Sequence, residues 1–309
     1  IVVLGDVMLD EYIWGEVSRI SPEAPVQVVN VVKEEFVPGG AANVAVNVAD
    51  LGGQVCLVGV IGEDSAKSVL LKQLEQRKVE TDGLVVDKEK TTILKVRVFG
   101  RKQQLLRFDY EKAGDVCDLT EKKLIEVLRK KIKTADLIVV SDYAKGVITQ
   151  NVMESLINEC KEKNKMIIVD PKPEHKHLYV NTTLITPNHS EAHKMSGFPE
   201  INGDKDIEGM GQHLVKYLNC TVLITRGEKG MSLIEKNSKV KHIPTFAKEV
   251  YDIIGAGDTV VATLALCLAS GASYEEAATI ANYAAGITVG KVGTSTVSPS
   301  ELKEIMKDA

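Results

Sequence analysis

Uninterrupted apolar, β-branched runs alternate along this chain with stretches of helical period. The runs are Ile1–Leu4, Val55–Ile61, Leu137–Ser141, Met166–Val169, Thr183–Thr186 and Thr221–Thr225. Between them lie amphipathic stretches at Asn43–Leu51, Ser65–Arg77, Glu121–Ile132, Thr149–Lys163, Ser190–Met195, Asp206–Leu218 and Thr259–Ser270. A strand that is apolar on both faces must be covered on both faces, and a helical crossover after each strand keeps neighbours parallel. The expected fold class is therefore α/β: a three-layer domain with a mostly parallel central sheet.

Two regions interrupt this pattern. Tyr12–Phe36 and Thr91–Tyr110 read as short strands of period two, as in Leu94-Lys95-Val96-Arg97-Val98. One polar face per strand implies a small antiparallel sheet open to solvent on one side. Both excursions leave and re-enter the same body, so the expectation is one domain over residues 1–309 with β-sheet lid segments at about 11–37 and 91–110.

The formal net charge of −5 gives no electrostatic reason to expect nucleic acid or an anionic membrane as partner. Any phosphorylated ligand must be held by local basic groups. The 5 cysteines are scattered, odd in number and free of metal-ligand spacing, which fits a reducing cytoplasm better than a disulfide framework. The longest apolar run, Val260–Leu268, falls far short of the roughly 20 residues needed to cross a bilayer. The chain opens at Ile1, inside a strand-like run and without Met, so a preceding piece is expected.

The strongest local signal is Asp252-Ile253-Ile254-Gly255-Ala256-Gly257-Asp258-Thr259, followed at once by an apolar helix. Glycines at Gly255 and Gly257 let backbone N–H groups around Ala256 point into a concavity, and the helix adds the positive end of its dipole. Asp258 is placed to accept the proton of an attacking hydroxyl, a combination suited to phosphoryl transfer. Equally open is a plain turn in which Asp258 caps the helix. A second cluster, Pro38-Gly39-Gly40-Ala41-Ala42-Asn43, lets backbone approach a ligand and offers the Asn43 amide to sugar hydroxyls, or is a helix start built for packing. Gly5-Asp6-Val7-Met8-Leu9-Asp10 stands at the carboxyl end of the first strand, where ligands of open α/β sheets bind. Asp6 and Asp10 can each grip a vicinal diol there, or are solvated turn residues.

Weaker candidates follow. Asn188-His189-Ser190-Glu191 follows a strand end from which Glu191 can reach a hydrated Mg²⁺, or is a helix N-terminus with an acid in its first turn. Thr225-Arg226-Gly227-Glu228-Lys229-Gly230 either borders a nucleotide or is a hairpin turn. Arg101, Lys102 and Arg107 either meet an anionic substrate or face water. Gly286-Ile287-Thr288-Val289-Gly290-Lys291 approaches a P-loop, but its spacing is one short and Val292 replaces the Ser/Thr. No Walker A motif and no Rossmann fingerprint are present.

Taken in order, these pieces resemble the ribokinase-like (PfkB) carbohydrate kinases. The resemblance spans Asp6 and Asp10, Gly39-Gly40 with Asn43, Asn188–Glu191, Thr225-Arg226-Gly227, and Asp252 with Gly255-Ala256-Gly257-Asp258. A usual form of the last motif begins Asp-Thr, whereas Ile253 and Ile254 stand here. The resemblance implies an ATP- and Mg²⁺-dependent sugar kinase in which Asp258 is the base and Gly255–Gly257 the anion hole. Asp6, Asp10, Gly39, Gly40 and Asn43 would hold the sugar, and Asn188, Glu191, Thr225, Arg226 and Gly227 the nucleotide and metal. Asp252, with carbonyls from Ala285–Thr296, would hold a monovalent cation such as K⁺.

Within the family, Gly5–Tyr12, Arg19-Ile20-Ser21-Pro22-Glu23-Ala24-Pro25-Val26, Ser141–Gly146 and Asp170-Pro171-Lys172 are similar to the subgroup acting on D-glycero-β-D-manno-heptose 7-phosphate. That similarity implies phosphorylation at the anomeric O1 to the 1,7-bisphosphate, on the route to ADP-heptose and lipopolysaccharide core. Arg107, Lys172 and Arg19 are the candidates for the 7-phosphate. Many such kinases are fused to an adenylyltransferase with an HxGH motif; this chain ends at Ala309 without one, so a stand-alone kinase or a kinase half is expected. The family also implies a homodimer through the lid. Competing readings are a kinase for adenosine, ribose or fructose phosphate, which the basic lid residues disfavour for a nucleoside, and a non-catalytic sugar-binding regulator. The intact Gly255, Gly257 and Asp258 disfavour the regulator.

Overall fold

The computed structural model of the chain describes residues 1–100, 103–198, 203–247, 250–291 and 295–307. In chain order its elements are β1 (Val2–Gly5), β2 (Val7–Ile20), β3 (Gln27–Gly40), α1 (Ala41–Asp50), β4 (Cys56–Ile61), α2 (Ser65–Gln76), β5 (Glu80–Val86), β6 (Ile93–Gly100) and β7 (Gln103–Tyr110). Then come α3 (Asp118–Ile132), β8 (Leu137–Ser141), α4 (Gln150–Glu162), β9 (Met166–Asp170), β10 (Leu184–Ile185), α5 (His189–Ser196), α6 (Asp204–Leu218) and β11 (Thr221–Thr225). The chain closes with β12 (Met231–Ile234), β13 (Lys241–Ile243), α7 (Ala256–Ala269), α8 (Tyr274–Val289) and α9 (Pro299–Lys307).

Nine strands form one sheet in the order β13-β12-β11-β10-β9-β8-β1-β4-β5. All neighbours from β5 to β11 pair in parallel. The strand period of two divides each apolar run between two cores. Val2 and Leu4 of β1 join Leu124, Met153 and Leu214 on the α3, α4 and α6 side, while Val3 joins Val44, Leu70 and Leu264 on the α1, α2 and α7 side. α7 is apolar nearly all round because it is enclosed, with Val261, Ala262, Leu264 and Ala265 at 0% exposure.

A second sheet of four strands has the order β3-β2-β6-β7. The expected excursions at about 11–37 and 91–110 fall on β2, β3, β6 and β7, but two expectations need correction. β2 and β3 are long, 14 residues each, and β2 starts only one residue after β1. The sheet is also mixed: β2 pairs with β6 in parallel, and only β2–β3 and β6–β7 are antiparallel. The topology explains this, since β2 and β6 each follow a parallel strand of the large sheet and so run outward in one direction.

The edge strands β5 and β13, the strand β12 beside β13, and the helices α8 and α9 carry no continuous apolar run of the expected kind. β5 alternates between buried and exposed positions, as an edge strand can. The stretch that approaches a P-loop is helical instead: Gly286–Val289 closes α8. Among the described residues, no helix is long and apolar enough to cross a membrane.

Candidate active site

The carboxyl ends of β1, β8, β9, β10 and β11 face the N-terminus of α7, and the site is built where they meet. Gly255 caps α7 with φ +81°, a left-handed conformation that a Cβ would strain. A Cβ on Gly257 would meet nothing within 4 Å, so this turn opens on free space. Asp258 lies in the first turn yet accepts no capping hydrogen bond from the helix backbone. Its carboxylate is 6% exposed; Asn43 Nδ2 donates to Oδ2 at 2.6 Å and the Tyr143 hydroxyl to Oδ1 at 3.0 Å. The helix-cap reading of Asp258 therefore falls away. Burial, with some help from the charge of Asp10, pushes its pKa up to about 6, against the pull of the Asn43 and Tyr143 donors and of Lys172.

Asn43 is buried on α1, and Asn47 one turn on accepts from the Thr259 hydroxyl at 2.8 Å, so polar contacts lock α1 against α7. Gly40 has φ +54°, and a Cβ there would sit 2.5 Å from the Asp6 carbonyl. A Cβ on Gly39 would meet Asp10 Oδ2 at 2.6 Å. These two glycines let the end of β3 close on Asp6 and Asp10, whereas the approach expected from the sequence was to a ligand.

Asp6 requires a correction. It is 0% exposed, and its carboxylate accepts from the backbone N–H groups of Tyr143 at 2.8 Å, Lys145 at 3.1 Å and Val147 at 3.2 Å. A carboxylate so enclosed has no face for a sugar hydroxyl; it anchors the loop that carries Tyr143. Asp10 keeps 8% exposure and pairs with Arg97 Nη1 at 2.6 Å.

A cavity of about 170 Å³ adjoins Asp258 and is lined by Tyr143, Asp170, Lys172, Asn188, Glu191 and Gly257, among others. Lys172 Nζ pairs with Glu191 Oε1 at 2.9 Å and lies 5.3 Å from the centre of the Tyr143 ring. This puts Lys172 beside the base, away from Arg97. Asn188 and Glu191 form a capping box at the N-terminus of α5, so the structural reading of that motif holds while Glu191 also faces the cavity. The Asp170 carboxylate has no hydrogen-bond partner among the described residues. Burial first, then the charges of Asp258 and Glu191, hold its carboxyl well above the ordinary range. Two oxygen-donor side chains, one of them unengaged, fit a hard divalent ion such as Mg²⁺.

The small cavity shares Asn188, Thr225, Gly257 and Val260 with a larger one of about 810 Å³. The larger is lined mainly by apolar groups and glycines, including Gly227, Ala256, Gly286 and Val289. Arg226 borders it, but its guanidinium turns away to Ser232 at 3.1 Å and Asp204 at 2.5 Å. The Arg226 N–H bonds to Gly230 O across a tight turn, so the hairpin reading of that motif also holds.

The remaining candidates scatter. Arg107 is half exposed and paired with Asp109 at 3.1 Å; Arg19 is exposed near the outer end of β2; Arg101 and Lys102 lie outside the described residues. Asp252 Oδ1 accepts from Ile254 N at 3.0 Å, and the stretch expected to offer cation-binding carbonyls includes residues 292–294, outside the described ones. Sequence reasoning missed Tyr143, Asp170 and Arg97 as site residues. The first two stand at carboxyl ends of parallel strands, a position that could have marked them. Arg97 was hidden in an alternating strand, where a charge ordinarily means a solvated face.

Residues 1–301 match the family model described as pfkB family carbohydrate kinase. The chain is 44% identical over 301 residues to the bifunctional protein HldE of Geobacter metallireducens, covering 97% of this chain and 61% of that protein. It is 44% identical over 309 residues to HldE of Desulfatibacillum aliphaticivorans, covering 100% of this chain and 63% of that one. The chain thus spans less than two thirds of the length of these relatives. Similar solved structures include a ribokinase of Arabidopsis thaliana complexed with ribose and ATP, with TM-score 0.79, 21% identity and coverage of 99% and 98%. Phosphofructokinase-2 of Escherichia coli in complex with potassium gives TM-score 0.83, 20% identity and coverage of 100% and 98%. Those two likenesses show the fold, which is ribokinase-like.

Proposed function

Because the chain belongs to the pfkB family of carbohydrate kinases, ATP-dependent enzymes acting on sugars, we propose that it phosphorylates D-glycero-β-D-manno-heptose 7-phosphate at the anomeric O1. The observation that carries the reading is Asp258, buried between two donors at a glycine turn with an open cavity beside it. The identity with HldE proteins supports the choice of a heptose phosphate.

In this mechanism the sugar O1 hydroxyl enters beside Asp258, whose carboxylate takes the proton as O1 bonds to the γ-phosphorus. The bond from that phosphorus to the β–γ bridging oxygen breaks, and ADP leaves with that oxygen. The N–H groups of Gly255, Ala256 and Gly257, at the positive end of α7, face the charge on the transferring oxygens. Lys172 adds a cation at the same place. Asp170 and Glu191 would hold Mg²⁺, which when bound neutralises phosphate charge. The larger cavity would take the nucleoside, bordered by Thr225, Arg226 and Gly227. Asp10 and Asn43 would position the sugar under the small sheet, which acts as a lid.

Asp252 would contribute to a K⁺ site, and exposed Val31, Val32 and Phe108 on the small sheet would support self-association of two lids. The relatives are longer and named bifunctional, so we assign this chain the kinase half of a pair of activities, the other an adenylyltransferase. The test is a side-by-side assay with ATP and Mg²⁺ on heptose 7-phosphate, ribose and fructose 6-phosphate. A kcat/KM for the heptose phosphate at least about 10-fold above the others is expected, a margin of ~1.4 kcal/mol. Equal rates on all three sugars would remove the heptose assignment.

A further inference from the structure

We propose that Arg97 is the anchor for the acceptor's own phosphate group, the contact that makes this site choose a sugar phosphate over a neutral sugar. The proposal rests on the sugar-phosphate kinase reading above. None of Arg107, Lys172 and Arg19 fills this role as well.

Position comes first. In the parallel register of β2 and β6, Asp10 stands opposite Lys95 and Tyr12 opposite Arg97, so all four share one face of the small sheet. Asp10 is close enough to Asp258 for its charge to raise the pKa of the base. Arg97 is bonded to Asp10 at 2.6 Å. The order outward from the reacting centre is therefore base, Asp10, Arg97. A sugar held at one end by Asp258 and along its length by Asp10 brings its far end to Arg97.

The state of the guanidinium comes second. The side chain is only 13% exposed, with its guanidinium carbon 5.3 Å from the centre of the Tyr12 ring. Yet only Nη1 is hydrogen-bonded; Nε and Nη2 have no hydrogen-bond partner among the described residues. Arginine carries five N–H donors in a rigid fork that matches a phosphate, and burying them unpaired is costly. The other nearby lysines are committed to carboxylates: Lys95 to Asp109 and Glu111, Lys145 to Glu111, and Lys172 to Glu191.

The surrounding charge comes third. Arg107 lies directly opposite Arg97 in the β6–β7 register, and like charges so placed across a sheet repel. Among the described residues, Lys95, Arg97 and Arg107 on the sheet, with Lys145 from the loop after β8, pair with the three carboxylates Asp10, Asp109 and Glu111. In a chain of net charge −5, cations thus outnumber carboxylates by one within this ion-pair network. A dianion between Arg97 and Arg107 would relieve that repulsion and use the idle donors.

The test compares heptose 7-phosphate with the same heptose lacking its phosphate, in wild type, Arg97→Gln and Arg97→Lys. The wild type is expected to prefer the phosphorylated sugar. Arg97→Gln should raise KM for it by about 10- to 100-fold, the range for losing a charged hydrogen-bond partner, with KM for ATP little changed. Its preference between the two sugars should collapse, and Arg97→Lys, which keeps the charge but not the fork, should fall between. Thermal melts establish that the variants are folded, and Arg97→Lys carries the comparison if Arg97→Gln is not. A preference that survives in the variants, or equal losses on both sugars, would overturn the proposal while leaving the kinase reading intact. A wild type with no preference would overturn both together.

Discussion

Around Asp258 on α7, the partners of one carboxylate come from two distant parts of the chain: Asn43 on α1 and Tyr143 in the loop after β8. Around Asp10, they come from strands lying side by side in one small sheet, and they are ions: Arg97, with Lys95 and Asp109 close by. The first region is buried in the wall of two hydrophobic cores. The second stands on strands whose outer parts are exposed, with Val31 at 61% and Val32 at 72%. Where burial fixes every neighbour, a pKa can be set and held, which a general base needs. Where a largely buried charge pair leaves donors idle, as at Arg97, a ligand can join the network without displacing it. On the proposed function and the Arg97 proposal, chemistry thus belongs to the first region and choice of substrate to the second.

The sharpest way to break that division is Asp258→Asn, which preserves shape and removes the proton acceptor. The expected outcome is a fall in kcat of about 10²- to 10⁴-fold, the usual worth of a positioned general base. KM for ATP and for the sugar phosphate should stay within a few-fold, since the small sheet is untouched. In the wild type, kcat/KM should fall on the acid side with a midpoint near the Asp258 value of about 6. Wild-type turnover in the variant, or a KM effect larger than the kcat effect, would collapse the distinction between the two regions.

The next largest effect separates the two acids that bracket Val7–Leu9. Asp6 satisfies three backbone N–H groups from a site with no exposure, and Asp6→Ala would leave them buried without an acceptor. A loss of about 2–4 kcal/mol in stability is expected, read as a lower midpoint in denaturant. Asp10→Ala removes one partner of a largely buried ion pair but leaves the loop that carries Tyr143 anchored, so its main effect should be a raised KM for the sugar. If the two variants swapped their effects, the anchoring role of Asp6 would be lost.

Asp6 also marks the limit of what the sequence made legible. Gly-Asp at the end of an apolar strand identified the rim of the sheet, and the alternation of apolar runs and helices gave the layers and the parallel centre. Strand-end position alone could not say whether a carboxylate faces ligand or backbone. That depends on the Tyr143–Val147 loop, more than 130 residues away in the chain. A separation of 115 residues likewise hid Tyr143 as a partner of Asp258. The motif at Gly255–Asp258 was legible because its φ and its helix are local properties. Arg97 was not, because a charge alternating with valines looks alike on a wet face and on a face turned to a binding cleft. Strand β12 and the edge strand β13 were missed because segments of only 4 and 3 residues carry little periodic signal.

The smallest effect lies in the small sheet and tests whether its charges are loosely held. Glu11 has a pKa raised to about 7, chiefly by burial and then by a hydrogen bond and like charge from Glu34 on the adjoining strand. Its ordinary value is 4.5. A folded-state pKa above the unfolded one means the folded chain binds the extra proton between these values, so stability falls as pH rises from 4.5 to about 7 and then levels. Glu11→Gln removes the titrating group and keeps a donor for Glu34. The variant should match wild type in thermal midpoint near pH 4.5, exceed it increasingly towards neutral, and hold a constant small advantage at pH 8. A difference that is flat with pH, or that grows towards acid, would mean that Glu11 and Glu34 do not share a proton. The small sheet would then hold its charges as firmly as the rim holds Asp258.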